Sequence, residues 1–214
     1  MRKFVIGDIH GNAKGLLSCL SKIRFDYEND LLICIGDLCD SKEKSDTYKV
    51  LLTLLKIKNL ILIKGNHDVK LIKYFKDGKV LPNWIKIGGQ QTLDSFKGKD
   101  ISIFNDLINS FKNYHIEDDI LFCHAGANSK KLISKTSVRT LHSTRTFWRK
   151  AKALDSIKKK FKLKEYPKSN PVKEIIIGHS PVNSQPERRS NVINVDVKNA
   201  LTIMNIHTKK FWQE

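Results

Sequence analysis

The sequence predicts an α/β fold with parallel strands at its centre. Three observations carry this. Short apolar runs alternate with stretches of helical periodicity through the first third of the chain. The runs lack the polar alternation of a half-exposed strand, as expected where both faces of a sheet are covered. Five of them end in Asp, Asn or His, at the strand ends where open α/β sheets bind ligands.

Taken in order, FVIG (4–7) is the first strand, and Leu16, Cys19, Leu20 and Ile23 mark one face of the helix after it. LLICIG (31–36) is the second strand, followed by a helix carrying Tyr48, Leu51, Leu52 and Leu55. LILI (60–63), entered from Asn59 and left at Gly65, is the third. Strand, helix, strand, helix, strand implies right-handed parallel crossovers. Later, ILFC (120–123), EIIIG (174–178), VINV (192–195) and LTIMNI (201–206) are strands with less helix between them. YHIE and an Asp-Asp pair before ILFC predict a hairpin. With no internal repeat and no linker, residues 1–214 read as one domain, with a basic insert or lid at 127–170 inside it.

Composition narrows the function classes. The 214 residues are 40% apolar and 29% charged, with 11 Gly and 5 Pro, which excludes disordered and collagen-like chains. No apolar run approaches the ~18 residues of a membrane span. The start, MRKFVIGDIHG, reaches Gly, Asp and His after three apolar residues, so it reads as a strand and not as a signal peptide. The four cysteines form no CxxC pair, which fits a reduced, cytoplasmic setting. The net charge of +17 draws anionic partners of any kind. It peaks at 149–168, with nine basic and two acidic residues. Leu154, Ile157 and Phe161 fall at helical spacing there, predicting an amphipathic helix with a solvated basic face. No aromatic residues interleave as a nucleic-acid stacking platform needs.

The strand ends carry the chemistry. They deliver Asp8 and His10, Asp37 and Asp40, Asn66 with His67 and Asp68, His124, and His179. Singly, each is an ordinary turn residue or helix cap; five strands delivering such groups to one crevice is not. Mixed Asp, His and Asn ligands suit Mn, Fe or Zn better than Ca or Mg, which favour all-oxygen shells. Asp8 and His10, two apart on an extended strand end, can face one ion. Asp37 is the natural carboxylate bridge between two ions, an arrangement that clamps both oxygens of an in-line phosphoryl displacement.

GDIHG (7–11), GDLCD (36–40), GNHD (65–68), HAG (124–126) and GHSP (178–181) together resemble the motifs of the calcineurin-like metallophosphoesterases, nearest to the small bacterial and phage phosphoprotein phosphatases. FDYENDLLICIGDL (25–38) and GGQQTLDSF (88–96) are also similar to segments of that group. The resemblance implies two packed mixed β-sheets flanked by helices. It places Asp8, His10 and Asp37 on one divalent ion and Asp37, Asn66, His124 and His179 on the other, with Mn as the expected metal and Fe or Zn as alternatives. It makes His67, paired with Asp40, the proton donor to the leaving oxygen, and a metal-bridging hydroxide the attacking group, so no Cys or Ser nucleophile is needed. Cys39, inside the metal loop, reads as packing. Pro181 stands where phosphodiesterase-like members carry a second His, which favours phosphomonoesters. The expected substrates are phosphoserine and phosphothreonine in proteins, or small phosphoesters; dinucleoside polyphosphates or other nucleotides are the alternative.

The chain departs from the family at its substrate arginines. Ser41-Lys42 replaces the Arg-Gly after the GDxxD motif, and Lys64 replaces the Arg before GNH. The expected phosphate-binding groups are therefore Arg149, Lys42, Lys64 and Asn66, with Arg149 preferred because only it offers a bidentate fork. Asp196 matches a family Asp without an assigned role, and His115, His142 and His207 are assigned none. The basic surface implies a nonspecific anionic partner beyond the substrate.

Overall fold

β1 (Lys3–Ile6), β2 (Leu31–Cys34) and β3 (Asn59–Leu62) pair in parallel, Phe4 lying opposite Leu32 and Leu32 opposite Leu60. These strands come from the computed structural model of the chain, which describes residues 1–41, 45–128, 132–159 and 172–214. The crossovers are α1 (Ala13–Lys22) and α2 (Thr47–Leu54). Each starts on a side-chain cap: Asn12 accepts from the Gly15 N–H at 2.8 Å and Asp46 from the Lys49 N–H at 3.0 Å. The face of α1 is the expected one, with Leu16, Cys19 and Leu20 buried. That of α2 is broader than expected: Leu51 is buried and Tyr48 and Leu52 pack partly buried against the same core, but Val50 and Leu54 join them and Leu55 is 45% exposed.

β9 (Thr202–Asn205) adds antiparallel to β1, and β10 (Phe211–Gln213) completes a first five-stranded sheet in the order β10-β9-β1-β2-β3. The second sheet runs β4 (His115–Glu117), β5 (Ile120–Phe122), β6 (Glu174–Ile177), β8 (Val192–Asn194), β7 (Glu187–Arg189), with β5, β6 and β8 parallel. The β4–β5 hairpin turns on Asp118 and Asp119 at φ 49° and 61°, the doubly left-handed turn that suits strand twist.

The fold is thus two mixed sheets flanked by helices. Alternate residues of each strand divide between two layers. Val5, Ile33, Phe122, Ile176 and Met204 meet between the sheets, whereas Phe4, Ile6, Leu32 and Cys34 pack outward under α1 and α2. Leu121, Ile175 and Ile177 pack outward on the other side against Leu141, Phe147 and Trp148. Both faces are covered, which is why the strands read as unbroken apolar runs.

From β3 the chain passes through α3 (Asp68–Asp77), α4 (Pro82–Trp84), α5 (Gln90–Phe96) and α6 (Asn105–Asn109). Between α4 and α5 a wide helical turn, Ile85–Gly89, holds Gly88 at φ 109° against the Ser41 main chain, where a Cβ would come within 2.7 Å. The second sheet is covered by α7 (Val138–Ser143) and α8 (Thr146–Ser156).

The basic amphipathic helix differs from expectation. α8 buries Phe147, Trp148 and Ala151 and ends at Ser156, with Ile157 58% exposed and Lys158 left-handed at φ 52°. Leu154 packs partly buried against the same core, as expected, but the buried anchors lie upstream of it and Ile157 does not join them. Phe161 lies outside the described residues, as do Lys42 and residues 129–131 and 160–170 of the insert. Among the described residues, no helix is long and apolar enough to cross a membrane.

Candidate metal centre

The carboxyl ends of β1, β2, β3, β6 and β8 converge on one cavity of about 650 Å³, lined by Asp8, His10, Asp37, Asn66, His67 and His179 among others, with His124, after β5, buried beside Asp37. Ligand atoms of Asp8, His10 and Asp37 all lie within 4.8 Å of one another, and so do those of Asp37, His124 and His179. Asp37 belongs to both groups.

The rings are aimed by hydrogen bonds at their far nitrogens. His124 Nδ1 donates to the Ile35 carbonyl at 2.9 Å, which turns Nε2 towards Asp37. His10 Nδ1 lies 2.8 Å from the Asp40 carbonyl and 3.1 Å from that of Cys39. Such partners fix ring orientation in metal sites. Among the described residues, three buried side-chain polar atoms have no hydrogen-bond partner: Asn66 Oδ1, His124 Nε2 and, outside the cavity lining, His142 Nδ1. A buried polar atom is rarely left so. The first two belong to the expected second ligand set, with His124 Nε2 3.3 Å from Asp37 Oδ2, so the donors present fit a divalent ion.

Local backbone strain supports the same site. His10, Asp37, Asp40 and His179 take φ of 46°, 52°, 67° and 65°, an unfavourable conformation for non-glycine residues that persists where surroundings enforce it. The Asp37 carbonyl accepts the N–H groups of both Ile9 and His10, at 3.0 and 2.9 Å. Asp68, fully buried, accepts the N–H groups of Asp37 (2.6 Å), Leu38 (2.9 Å) and Gly65 (2.9 Å), tying the second and third loops together. Two motif glycines make room for carboxylates: a Cβ on Gly65 would lie 2.1 Å from Asp37 Oδ1, and one on Gly178 2.2 Å from Asp8 Oδ1.

Electrostatically the site is an acidic well in a basic protein. Burial, with the charges of Asp196 and Asp37, holds the Asp8 carboxyl well above the usual range. Burial raises Asp196 to about 6. For Asp37 burial acts the other way from its imidazole neighbours, led by His124, and these win, so its carboxyl is held low. His124 is opposed by burial but pushed up to about 10 by the Asp37 and Asp8 charges. Burial, then the His124 charge, lowers His179 to about 4. Crowded carboxylates of this kind are relieved by cations.

His67 stands beside the ligands. Its Nδ1 lies 2.8 Å from Asp40 Oδ2 and its Nε2 4.0 Å from Asp37 Oδ2. Burial works against its charge, but the Asp40 hydrogen bond and the Asp37 and Asp40 charges outweigh it and raise its pKa. Cys39 is buried, and burial with the neighbouring carboxylates raises its thiol well above the ordinary value, so it packs and does not attack.

The expected phosphate ligands fare differently. Asn66 lines the cavity. Arg149 does not: it is exposed on α8, and Arg145, one turn earlier on the same face, lines the cavity and exerts its charge on His179 and Asp196. Burial of Phe147 and Trp148 selected the helix face, but the cavity lies at the N-terminal end of α8. Lys64 is not among the lining residues either; its main-chain N–H pairs with the Lys112 carbonyl. Ser41 and Lys198 line the cavity. Residues missed or left without a role in the sequence are thus Arg145, Lys198, Asp68 and Asp196. Asp68 and Asp196 were signalled by their place at strand ends; Arg145 and Lys198 carry no spacing signal.

The family model of the calcineurin-like phosphoesterases matches residues 1–204, and the chain belongs to that family. It is 35% identical over 112 residues to serine/threonine-protein phosphatase 2 of Salmonella typhimurium, covering 51% of this chain and 48% of that one. It is 36% identical over 73 residues to the symmetrical bis(5'-nucleosyl)-tetraphosphatase of Wigglesworthia glossinidia brevipalpis, covering 34% of this chain and 26% of that one. The chain therefore spans about half the length or less of these relatives. A protein serine/threonine phosphatase structure from Saccharomyces cerevisiae superposes with a TM-score of 0.61 at 15% identity, over 100% of this chain and 79% of that one, a likeness of fold alone. The family binds a dinuclear metal site, and the Asp and His groups gathered here could bind metals.

Proposed function

We propose that the chain hydrolyses phosphomonoesters, with phosphoserine and phosphothreonine in proteins as its substrates. The observation that carries this is the meeting, at one cavity, of two ligand groups sharing Asp37 and a histidine backed by a carboxylate. Asp8, His10 and Asp37 would hold one ion, and Asp37, Asn66, His124 and His179 the other. When bound, such ions supply Lewis acidity to the phosphoryl oxygens and acidify a coordinated water. The protein's own groups do the rest. Arg145 offers a planar fork to the phosphate oxygens. His67, its Nδ1–H held by Asp40, presents Nε2–H to the departing oxygen and gives up that proton as the ester bond breaks. Manganese is the expected metal.

A second reading has one observation in its favour. Lys198 lines the same cavity as Arg145, and a second cation suits a substrate with more than one phosphate, such as a dinucleoside polyphosphate. Turnover of a phosphoserine peptide, diadenosine tetraphosphate and 4-nitrophenyl phosphate, side by side with Mn²⁺, separates the two. The proposal expects the peptide to be hydrolysed with the highest kcat/KM. Turnover of diadenosine tetraphosphate with an inert phosphopeptide would replace it with the second reading.

A further inference from the structure

The hydrogen bonding of Asp40 does not end at His67. Trp84 Nε1 donates to the same carboxylate, 2.7 Å from Oδ2 and 2.8 Å from Oδ1, and Thr92 Oγ1 donates to Oδ1 at 2.8 Å. The Thr92 hydroxyl also accepts the Asp40 N–H at 3.0 Å, so its lone pair and its proton both serve one residue. Asp40, Trp84 and Thr92 are 1%, 0% and 0% exposed, so no bulk water competes for these bonds. The donors are themselves fixed. Trp84 sits on α4 with Gly89 against its indole, so close that a Cβ there would fall 2.6 Å from the ring, and the Tyr74 ring packs 5.7 Å away. Thr92 sits on α5, 3.3 Å from the Thr47 hydroxyl of α2.

A carboxylate held this way cannot turn without breaking bonds to two other elements. With only His67 as partner it could rotate and let the imidazole swing. We propose that Trp84 and Thr92 are positioning residues: by fixing the Asp40 carboxylate they hold the His67 ring with Nε2 towards the cavity. The proposal rests on His67 acting as proton donor. In that step the Nε2–H bond breaks and an O–H bond forms on the leaving oxygen. His67 is left neutral with Nδ1–H still on Asp40, and solvent returns the proton. Positioning matters most where the leaving oxygen is basic and needs the proton early, and least where it departs unaided.

The test compares kcat on phenyl phosphate, a poor leaving group, and on 4-nitrophenyl phosphate, a good one, at saturating Mn²⁺. Trp84→Phe keeps a ring and loses the N–H; Thr92→Val keeps the shape and loses the hydroxyl; Thr92→Ser keeps the hydroxyl. Trp84→Phe and Thr92→Val are expected to lose about 10- to 100-fold on phenyl phosphate, the range for a slightly misplaced catalytic group, and several-fold less on 4-nitrophenyl phosphate. KM and metal content stay as in the parent, and Thr92→Ser keeps the parental ratio of the two rates. Added to His67→Asn, Trp84→Phe causes no further loss, because its effect passes through that ring. Equal losses on both substrates, or full additivity with His67→Asn, would mean that Trp84 and Thr92 only pack. If Trp84→Phe does not fold, the Thr92→Val and Thr92→Ser pair decides alone. If His67→Asn itself loses equally on both substrates, the proton-donor reading falls and takes this proposal with it, an outcome distinct from failure of the positioning role alone.

Discussion

Gly178→Ala should separate metal binding from folding. Gly178 is not a ligand, and its φ lies outside the left-handed range, so alanine is allowed there. The new Cβ would lie 2.2 Å from Asp8 Oδ1, against an ordinary contact of 3.4 Å or more, so the carboxylate must retreat by about 1.2 Å (3.4 − 2.2). Metal-ligand distances hold to within about 0.2 Å, so this displacement breaks the bond from Asp8. The other close atom, Ile35 Cγ2 at 2.9 Å, makes the change an overpacking, expected to cost about 1–3 kcal/mol of stability. The variant should therefore fold and keep the ion at Asp37, His124 and His179, lose the ion at Asp8 and His10, and turn over at least about 100-fold more slowly. Elemental analysis after Mn²⁺ loading, with denaturant unfolding and steady-state rates, gives all three quantities. Two retained ions at parental affinity and a parental rate would show that Asp8 is not a ligand.

Other perturbations bear on neighbouring parts of the site and on the frame. Arg145→Ala should lower kcat/KM by about 2–4 kcal/mol equivalent in transition-state binding, while Arg149→Ala leaves it within about twofold; the reverse ranking in steady-state kinetics would restore Arg149. With His124 raised to about 10 in the metal-free protein, a metal entering at neutral pH displaces its proton, so Mn²⁺ affinity should rise by about tenfold from pH 7 to pH 8. An affinity flat over that interval, measured by calorimetry, would contradict it. Asp30 lies away from the site. Burial raises its pKa, but the hydrogen bonds from Arg2 outweigh this and hold it below its ordinary value. A lowered folded-state pKa stabilises above the unfolded value near 3.9, and that stability is lost as pH falls through the lowered one. Asp30→Asn should cost about 1.5–3 kcal/mol at pH 7 and flatten the acid limb of the stability curve, as followed by urea unfolding; an unchanged limb would assign acid sensitivity elsewhere.

How much of this was legible in the chain depends on the kind of signal. Asp8, Asp37, Asn66, His124 and His179 each follow an apolar run within a few residues, so their meeting at one end of the sheets could be read from order and spacing. Trp84 and Thr92 lie far along the chain from Asp40 and show no periodicity towards it; only the wide turn before α5 brings them under the carboxylate. The aromatic neighbours of Arg149 point to it, but what decides is which end of α8 meets the cavity, and local pattern does not carry that. β7 and β10 carry little signal in the sequence because they are three-residue edge strands, and Glu187–Arg189 shows no apolar run at all. In α2, Leu51, Leu52, Leu54 and Leu55 satisfy two faces, and only packing against α1 and α5 buries Leu54 and leaves Leu55 out.

The measurement nearest the central claim is metal stoichiometry against turnover in the parent and in Asp37→Asn. Metal-free protein titrated with Mn²⁺ is predicted to bind two ions that interact magnetically, as ions sharing one carboxylate must, with phosphomonoester hydrolysis appearing only as the second ion enters. Asp37→Asn should weaken both positions and abolish turnover. Two tightly held ions and an undiminished rate in Asp37→Asn would contradict a dinuclear centre built on that carboxylate.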